Sequence, residues 1–123
     1  MRVKVIRSSS VKAKVEIDAG VCGFHATAHA SSDDGMFVEL AVKSNCEKIA
    51  RLAATLRSNG LVNAYEEINP GTGSAIMEAA RAALPGCCAG CAAPMGIFKA
   101  MQVAAGLALA KDVHIAITKE EQE

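Results

Sequence analysis

The chain has few aromatic residues and no net charge. Its 123 residues include no Trp, and aromatic residues make up only 3% of them. Aliphatic side chains must therefore supply most of the hydrophobic core. Basic and acidic residues are equal in number, with 13 of each, and no basic stripe alternates with aromatic side chains. This composition argues against a nucleic-acid-binding platform and against polybasic attachment to a membrane surface.

The chain also lacks a long apolar run. Residues 1–5 alternate charged and apolar side chains, whereas a signal peptide has a basic start followed by a continuous apolar stretch. The longest mostly apolar segment, residues 95–110, contains Lys99 and Gln102 and is shorter than the roughly 20 residues of a membrane span. We therefore expect a cytoplasmic protein whose thiols stay reduced, so its cysteines are better interpreted as ligands or redox groups than as disulfides.

The hydrophobic pattern predicts one α+β domain over residues 1–123, with the charged tail 119–123 frayed. Alternation of apolar and polar residues predicts strands, and apolar residues at helical spacing predict helices. The predicted order is β-β-β-α-α-α-β, a two-layer sandwich in which helices cover one face of an antiparallel or mixed sheet of about four strands. The predicted strands are 11–18, 21–30, 36–42 and 112–118, with 2–6 as an earlier strand or part of the first; the helices span 44–59, 74–84 and a segment that starts at Pro94.

The loop Cys87-Cys88-Ala89-Gly90-Cys91 concentrates three of the five cysteines. Cys88 and Cys91 form a C-x-x-C pair, in which two intervening residues let both sulfurs reach one metal ion through a tight turn. Gly90 gives the backbone freedom to bend there. Three thiols this close together point to a metal ligand set or to disulfide exchange more than to core packing.

The other two cysteines are predicted to lie at one end of the sheet. Matching the apolar faces of the second and third strands pairs Ala28 with Val38 and sets Cys22 opposite Ser44. Ser44-Asn45-Cys46-Glu47 has the form of a capping box, which puts Cys46 at the second position of the next helix. The free amide groups of that first turn favour a thiolate.

The leading hypothesis is a four-thiolate site that binds zinc or a [4Fe–4S] cluster. Its predicted ligands are Cys22, Cys46, Cys88 and Cys91, with Cys87 as a substitute. One alternative is a thiol–disulfide or thiol-nucleophile protein that uses the C-x-x-C pair. Another is an interaction module with incidental cysteines. The reaction, if there is one, stays open, and so does the partner: another protein, a client metalloenzyme or a second copy of the chain.

The three histidines are predicted to be ordinary solvated residues. His25 and His29 share one face of a strand, opposite to Cys22. Four residues of strand span about 13 Å, so these two side chains cannot share one metal ion. His114 alternates outward between Val113 and Ile115, which favours the same interpretation.

Several motifs together resemble a small family of uncharacterised proteins found mostly in anaerobic bacteria and archaea. They are Cys22-Gly23-Phe24, Ser44-x-Cys46, the cysteine loop and the segment from Lys99 to Val113, and the resemblance covers about residues 21–118. Family members often have a proline-rich step after the last loop cysteine, whereas this chain has Ala92-Ala93-Pro94. The resemblance implies a shared cysteine site without naming an activity, and the anaerobic setting favours an oxygen-sensitive cluster.

Overall fold

A computed structural model describes residues 10–121, apart from the side chains of Val21 and Cys87. Four strands, four helices and two short 3₁₀ turns follow one another along this part of the chain. The strands are β1 (Val11–Asp18), β2 (His25–Ser32), β3 (Phe37–Ser44) and β4 (Val62–Asn63). The helices are α1 (Glu47–Asn59), α2 (Ala64–Glu67), α3 (Ala75–Ala83) and α4 (Ala93–Ala104), and the 3₁₀ turns are Gly20–Cys22 and Gly86–Gly90.

The four strands form an antiparallel sheet in the order β1-β2-β3-β4. Period-two alternation gives this sheet one apolar face, because successive side chains of a strand point to opposite sides. The other face carries charged and polar side chains and is exposed. The predicted α+β architecture is therefore confirmed. The buried apolar face consists of Ile17, Ala26, Ala28, Ala30, Val38, Leu40 and Val42.

The long helices cover the apolar face. Helix α4 packs on β1 and β2, α1 packs on β3, and α3 contacts both of these helices. Gly96 allows α4 to lie close to β1, since a Cβ atom at this position would overlap the Cγ1 and Cδ1 atoms of Ile17. This close approach fixes where α4 begins, and therefore where the cysteine loop that precedes it lies.

The register of the β2–β3 hairpin differs from the prediction. Ala28 pairs with Val42 rather than with Val38, a shift of four residues. An even shift keeps the same side chains on the same face, so the apolar side chains predicted within the observed β2 and β3 face the core although the pairing is wrong. The predicted strand 21–30 begins only at His25, and Phe24 is exposed. The hairpin tip occupies residues 33–36, and β2 continues through Ser32.

Asp34 explains the position of this tip. Its carboxylate accepts hydrogen bonds from the backbone N–H groups of Met36 and Phe37, both at 2.9 Å. Ser32 closes the turn by donating its hydroxyl to the Phe37 carbonyl at 2.8 Å. The two backbone hydrogen bonds, from Met36 first and then Phe37, hold the pKa of the Asp34 carboxyl below its usual value.

The buried carboxylate of Glu67 binds the N-terminus of α3. Glu67 is 8% exposed and accepts hydrogen bonds from the N–H groups of Ala75 at 2.8 Å and Ile76 at 3.1 Å, and from the Ser74 hydroxyl at 2.6 Å. Ser74 is the N-cap and accepts from the Met77 N–H at 3.0 Å. These bonds satisfy N–H groups that a helix start otherwise leaves without partners.

The predicted strand over residues 112–118 is not formed. Residues 109–121, called the C-terminal arm below, have no regular secondary structure and are exposed throughout. The fourth strand of the sheet is instead the two-residue β4. Alternating apolar residues make a strand only when a neighbouring strand takes up their backbone hydrogen bonds, and the arm pairs with none of the described strands. The predicted strand over residues 2–6 lies outside the described residues.

Candidate functional site

Cys46 is the N-cap of α1, rather than its second helical residue as predicted. The capping box does not form, because Ser44 has other partners. The Ser44 hydroxyl donates to the His25 carbonyl at 2.6 Å and accepts from the Cys46 N–H at 3.0 Å. Ser44 therefore ties the end of β3 to the start of β2. The half-buried Cys46 then lies where the free N–H groups of the 13-residue helix attract negative charge.

Cys88 and Cys91 lie in the second 3₁₀ turn and at its end, between α3 and α4. The Cys91 N–H donates to the Cys88 carbonyl at 3.0 Å, which folds the C-x-x-C segment into a tight turn. The Cys91 sulfur accepts from the Ala93 N–H at 3.5 Å. It therefore takes up one of the free N–H groups at the start of α4. Both side chains are half-buried and pack against the hydrophobic core.

One contact joins the two cysteine segments. The Lys48 Nζ atom, in the first turn of α1, donates to the Cys88 Sγ atom at 3.4 Å. Lys48 follows the Cys46 N-cap by two residues. The start of α1 and the cysteine loop are therefore neighbours, at the end of the helical layer where β3 ends. An ammonium group at this distance attracts a negatively charged sulfur far more strongly than a neutral thiol.

The sequence does not reveal Lys48 as part of the site. Its position in the first turn after Cys46 is visible, but its contact with Cys88, 40 residues away, depends on how α1 and α3 pack. Four other lysines stand within the first 50 residues of the chain, and nothing in the sequence distinguishes Lys48 from them.

Cys22 lies at the end of the sheet where β3 ends, as predicted, but it is not opposite Ser44. It ends the first 3₁₀ turn and is exposed, with its sulfur donating to the Ala19 carbonyl at 3.8 Å. The four-residue register shift sets Ala26, rather than Cys22, opposite Ser44. The Cys87 side chain is outside what the structure describes. Within residues 10–121, no three His, Cys, Asp or Glu side chains already form a group that could hold a metal ion.

A groove of about 550 Å³ lies next to the cysteine loop. Its lining includes one thiol, from Cys91, and one charged side chain, from Arg81. The remaining lining is apolar, with methionines at two positions, so the groove offers one thiol and one cation on a hydrophobic floor. Its other lining residues are Met77, Ala80, Leu84, Pro85, Ala89, Pro94 and Met95.

The histidines are exposed, as predicted. His25 and His29 lie on the polar face of β2, and His114 lies in the C-terminal arm. His25 begins β2 at the end of the sheet where β3 ends, since its N–H donates to the Asn45 side-chain oxygen at 3.1 Å, but its side chain is exposed on the polar face.

Comparison with known proteins gives a family and no activity. No helix within residues 10–121 combines the length and the apolar character needed to cross a membrane. Comparisons with the curated proteins and with the solved structures returned no match. A family model does match residues 13–117, most of the chain and all five cysteines. The chain therefore belongs to a family of unknown function, DUF6951.

Proposed function

We propose that this protein binds a soft metal ion or an iron–sulfur cluster through the thiolates of Cys46, Cys88 and Cys91. The fourth ligand is Cys22 or Cys87. The observation that carries the proposal is the 3.4 Å contact between the Lys48 ammonium and the Cys88 sulfur. It brings two cysteine segments, separated by about 40 residues, to one end of the helical layer.

Positive charge or backbone N–H groups lie near each of the three sulfurs. Cys46 stands at the N-terminus of α1, Cys88 accepts from an ammonium group, and Cys91 accepts from an N–H at the start of α4. Hydrogen bonds and positive charge near coordinated sulfurs stabilise metal–thiolate centres and tune them. Four thiolates around a Zn²⁺ ion carry a net charge of −2, which a nearby ammonium group offsets in part.

Partial burial also fits a ligand role. Structural cysteines that act only as small hydrophobic residues are usually fully buried. Cys46, Cys88 and Cys91 are all of intermediate exposure at the margin of the core. Sulfurs in this position are accessible to an incoming ion and are still shielded enough to favour binding.

The test is metal content after anaerobic purification, combined with an absorbance spectrum. A broad band near 400 nm with about four irons per chain would identify a [4Fe–4S] cluster, and one zinc per chain with no such band would identify a zinc site. Replacing Cys46, Cys88 or Cys91 with Ser should abolish stoichiometric binding. Cys22→Ser and Cys87→Ser act as controls for each other. Only one of these two cysteines supplies the fourth ligand, so one substitution should abolish binding and the other should leave it unchanged. The proposal fails if the protein takes up neither metal, even on reconstitution.

A second candidate function, thiol–disulfide exchange, is favoured by the groove beside Cys91. In that reaction Cys88 and Cys91 would together lose two electrons and two protons to form a disulfide. A disulfide substrate would gain them and be released as two thiols. The groove would bind an apolar substrate whose anionic group contacts Arg81.

Titration in glutathione redox buffers separates the two candidates. A metal-free protein in which Cys88 and Cys91 interconvert reversibly between dithiol and disulfide supports exchange. Arg81→Met should then slow the reaction with an anionic disulfide such as oxidised glutathione, while Arg57→Met, on α1, leaves the rate unchanged. If the C-x-x-C pair forms no disulfide in any of these buffers, the second candidate is excluded.

A further inference from the structure

The C-terminal arm has the sequence pattern of a strand without the structure of one. Val113, Ile115 and Ile117 occupy alternate positions, which is typical of a half-buried strand. In the structure they are 59%, 69% and 89% exposed, in that order. Three β-branched apolar side chains in succession are costly to leave in water. The arm therefore carries an apolar edge that the rest of residues 10–121 does not cover.

Most of the arm belongs to the region that the family model matches. The family model extends through Ile117, which is the last of the three alternating apolar residues. The strand pattern is thus part of the matched region from end to end. We expect such a segment to pack against a partner. A solvated extension would not need apolar residues at alternate positions.

The sheet offers a matching acceptor. Among residues 10–121, β1 pairs only with β2, so no described residue takes up the backbone N–H and C=O groups of its other edge. On the helix-facing side of this edge, Val11 is 46% exposed, and Ala13 and Val15 are half-buried. An added strand would pair with the backbone groups and extend this row of apolar side chains.

We propose that residues 112–118 of the arm add as a strand to the free edge of β1 in a second copy of the chain. Each copy has one arm and one edge, so mutual exchange between two copies pairs both and closes with twofold symmetry. Val113, Ile115 and Ile117 then lie next to the apolar side of β1. His114 and Thr118 fall on the polar side of the sheet, where β1 presents lysines.

The structure favours a second copy over the arm's own chain as the acceptor. The arm and the β1 edge are both present among the described residues, and yet they do not pair. The arm leaves α4 near the β2–β3 turn, since a Cβ atom at Gly35 would lie 3.5 Å from the Ala105 carbonyl oxygen. Val11 pairs with Ser32 beside the same turn. The arm thus starts at the end of the sheet where β1 begins, and its residues 109–121 are exposed instead of packing on their own chain.

The first test measures the dimer dissociation constant by analytical ultracentrifugation of the full chain. Ile115→Arg should weaken the dimer about 100-fold or more, because the apolar contact is lost twice in a symmetric pair. His114→Arg is the matched control: it introduces the same side chain one residue away, on the polar side of the added strand, and should leave the dimer intact. Neither change touches the described core, so circular dichroism should show both variants folded. A monomeric wild-type protein, or an Ile115→Arg dimer of unchanged affinity, overturns the proposal.

The second test identifies the contact. Equal amounts of unlabelled and ¹⁵N-labelled protein are mixed, allowed to exchange and treated with a lysine cross-linker. Cross-links of mixed isotope composition between Lys119 and Lys12 or Lys14 are expected. Cross-links of Lys119 to β1 within one isotope only would mean that the arm pairs with its own chain, and mixed cross-links between arms alone would mean that arm pairs with arm. Either of these results overturns the proposal.

Discussion

Replacing Gly96 with Ala tests whether α4 approaches β1 as closely as the structure shows. In an exposed helix interior this change stabilises a protein by roughly 1 kcal/mol, because glycine is the poorer helix former. Here the added methyl group would overlap Cγ1 and Cδ1 of Ile17 and lie 3.4 Å from Cγ1 of Val15. Overpacking a core in this way costs about 1–3 kcal/mol. We therefore expect Gly96→Ala to lower the free energy of unfolding by up to about 2 kcal/mol, as the difference of these two effects.

Urea denaturation monitored by circular dichroism measures this change, and a double-mutant cycle assigns its cause. Ile17→Ala in the wild-type background should cost about 2–5 kcal/mol. In the Gly96→Ala background it should cost about 1–3 kcal/mol less, since it also removes the overlap. Gly90→Ala is the matched control, because no atom of the described residues lies within 4 Å of a Cβ at Gly90. If Gly96→Ala stabilises the protein by the full 1 kcal/mol, α4 does not lie against β1 and the reasoning is refuted.

Three further substitutions test individual contacts. Asp34→Asn should remove the part of the acid sensitivity that comes from the turn. The pKa of Asp34 is lowered on folding. Its carboxylate therefore stabilises the protein at pH values above the unfolded-state pKa, and this stabilisation is lost as the pH falls through the lowered pKa. Urea midpoints of the wild type and Asp34→Asn that differ by the same amount at pH 3 and pH 6 would contradict this. Glu67→Gln should cost about 1–3 kcal/mol in urea denaturation, since an amide cannot accept all of the α3 hydrogen bonds, whereas the exposed neighbour Glu66→Gln should change stability by less than about 0.5 kcal/mol. Lys48→Met should weaken metal binding by about 10–100-fold in a chelator competition, with Lys43→Met on the polar face of β3 as the control, and equal effects of both would remove Lys48 from the site.

The alternation of β1, β2 and β3 predicts which side of the sheet faces the core. Burial of one face dictates a period of two, and every apolar residue predicted on that face in β3 after Met36 is buried there. The pairing between strands is a different matter. It was predicted wrongly because the residues of the turn, Ser32 and Asp34, decide it through side-chain hydrogen bonds. Those bonds move the tip without changing the hydrophobic pattern.

The same distinction applies to the candidate site. The C-x-x-C pair and the position of Cys46 at a helix start can be read from the sequence. The contact between Lys48 and Cys88 cannot, because it depends on the packing of α1 against α3. The Cys22 position was derived from the hairpin register, so the error in that register carried over to it. The spacing of the cysteines and the helix start at Cys46 were predictable, whereas the hairpin register, which the turn side chains decide, and the contacts that depend on helix packing were not.

The strand predicted over residues 112–118 fails for another reason. Alternation in Val113, Ile115 and Ile117 indicates that the segment can be a strand, but a strand needs a partner. Sequence periodicity contains no information on whether that partner lies in the same chain. The predicted strand thus required a pairing that the described part of this chain does not make.

The position of α4 has a consequence for how the protein is made. The sheet forms between neighbours in sequence, since β1, β2, β3 and β4 pair in chain order, and such local contacts form early. The apolar side of β1 and β2, by contrast, is covered by a helix that starts at Ala93. On the ribosome this surface stays exposed until most of the chain has been synthesised. The cysteine loop lies directly before α4, so we expect the contact between Cys88 and Lys48 to form only when that last helix docks. A chain that stops before α4 would contain all five cysteines but would lack the helix whose docking positions their loop, so the candidate site would be assembled only in the last step of folding.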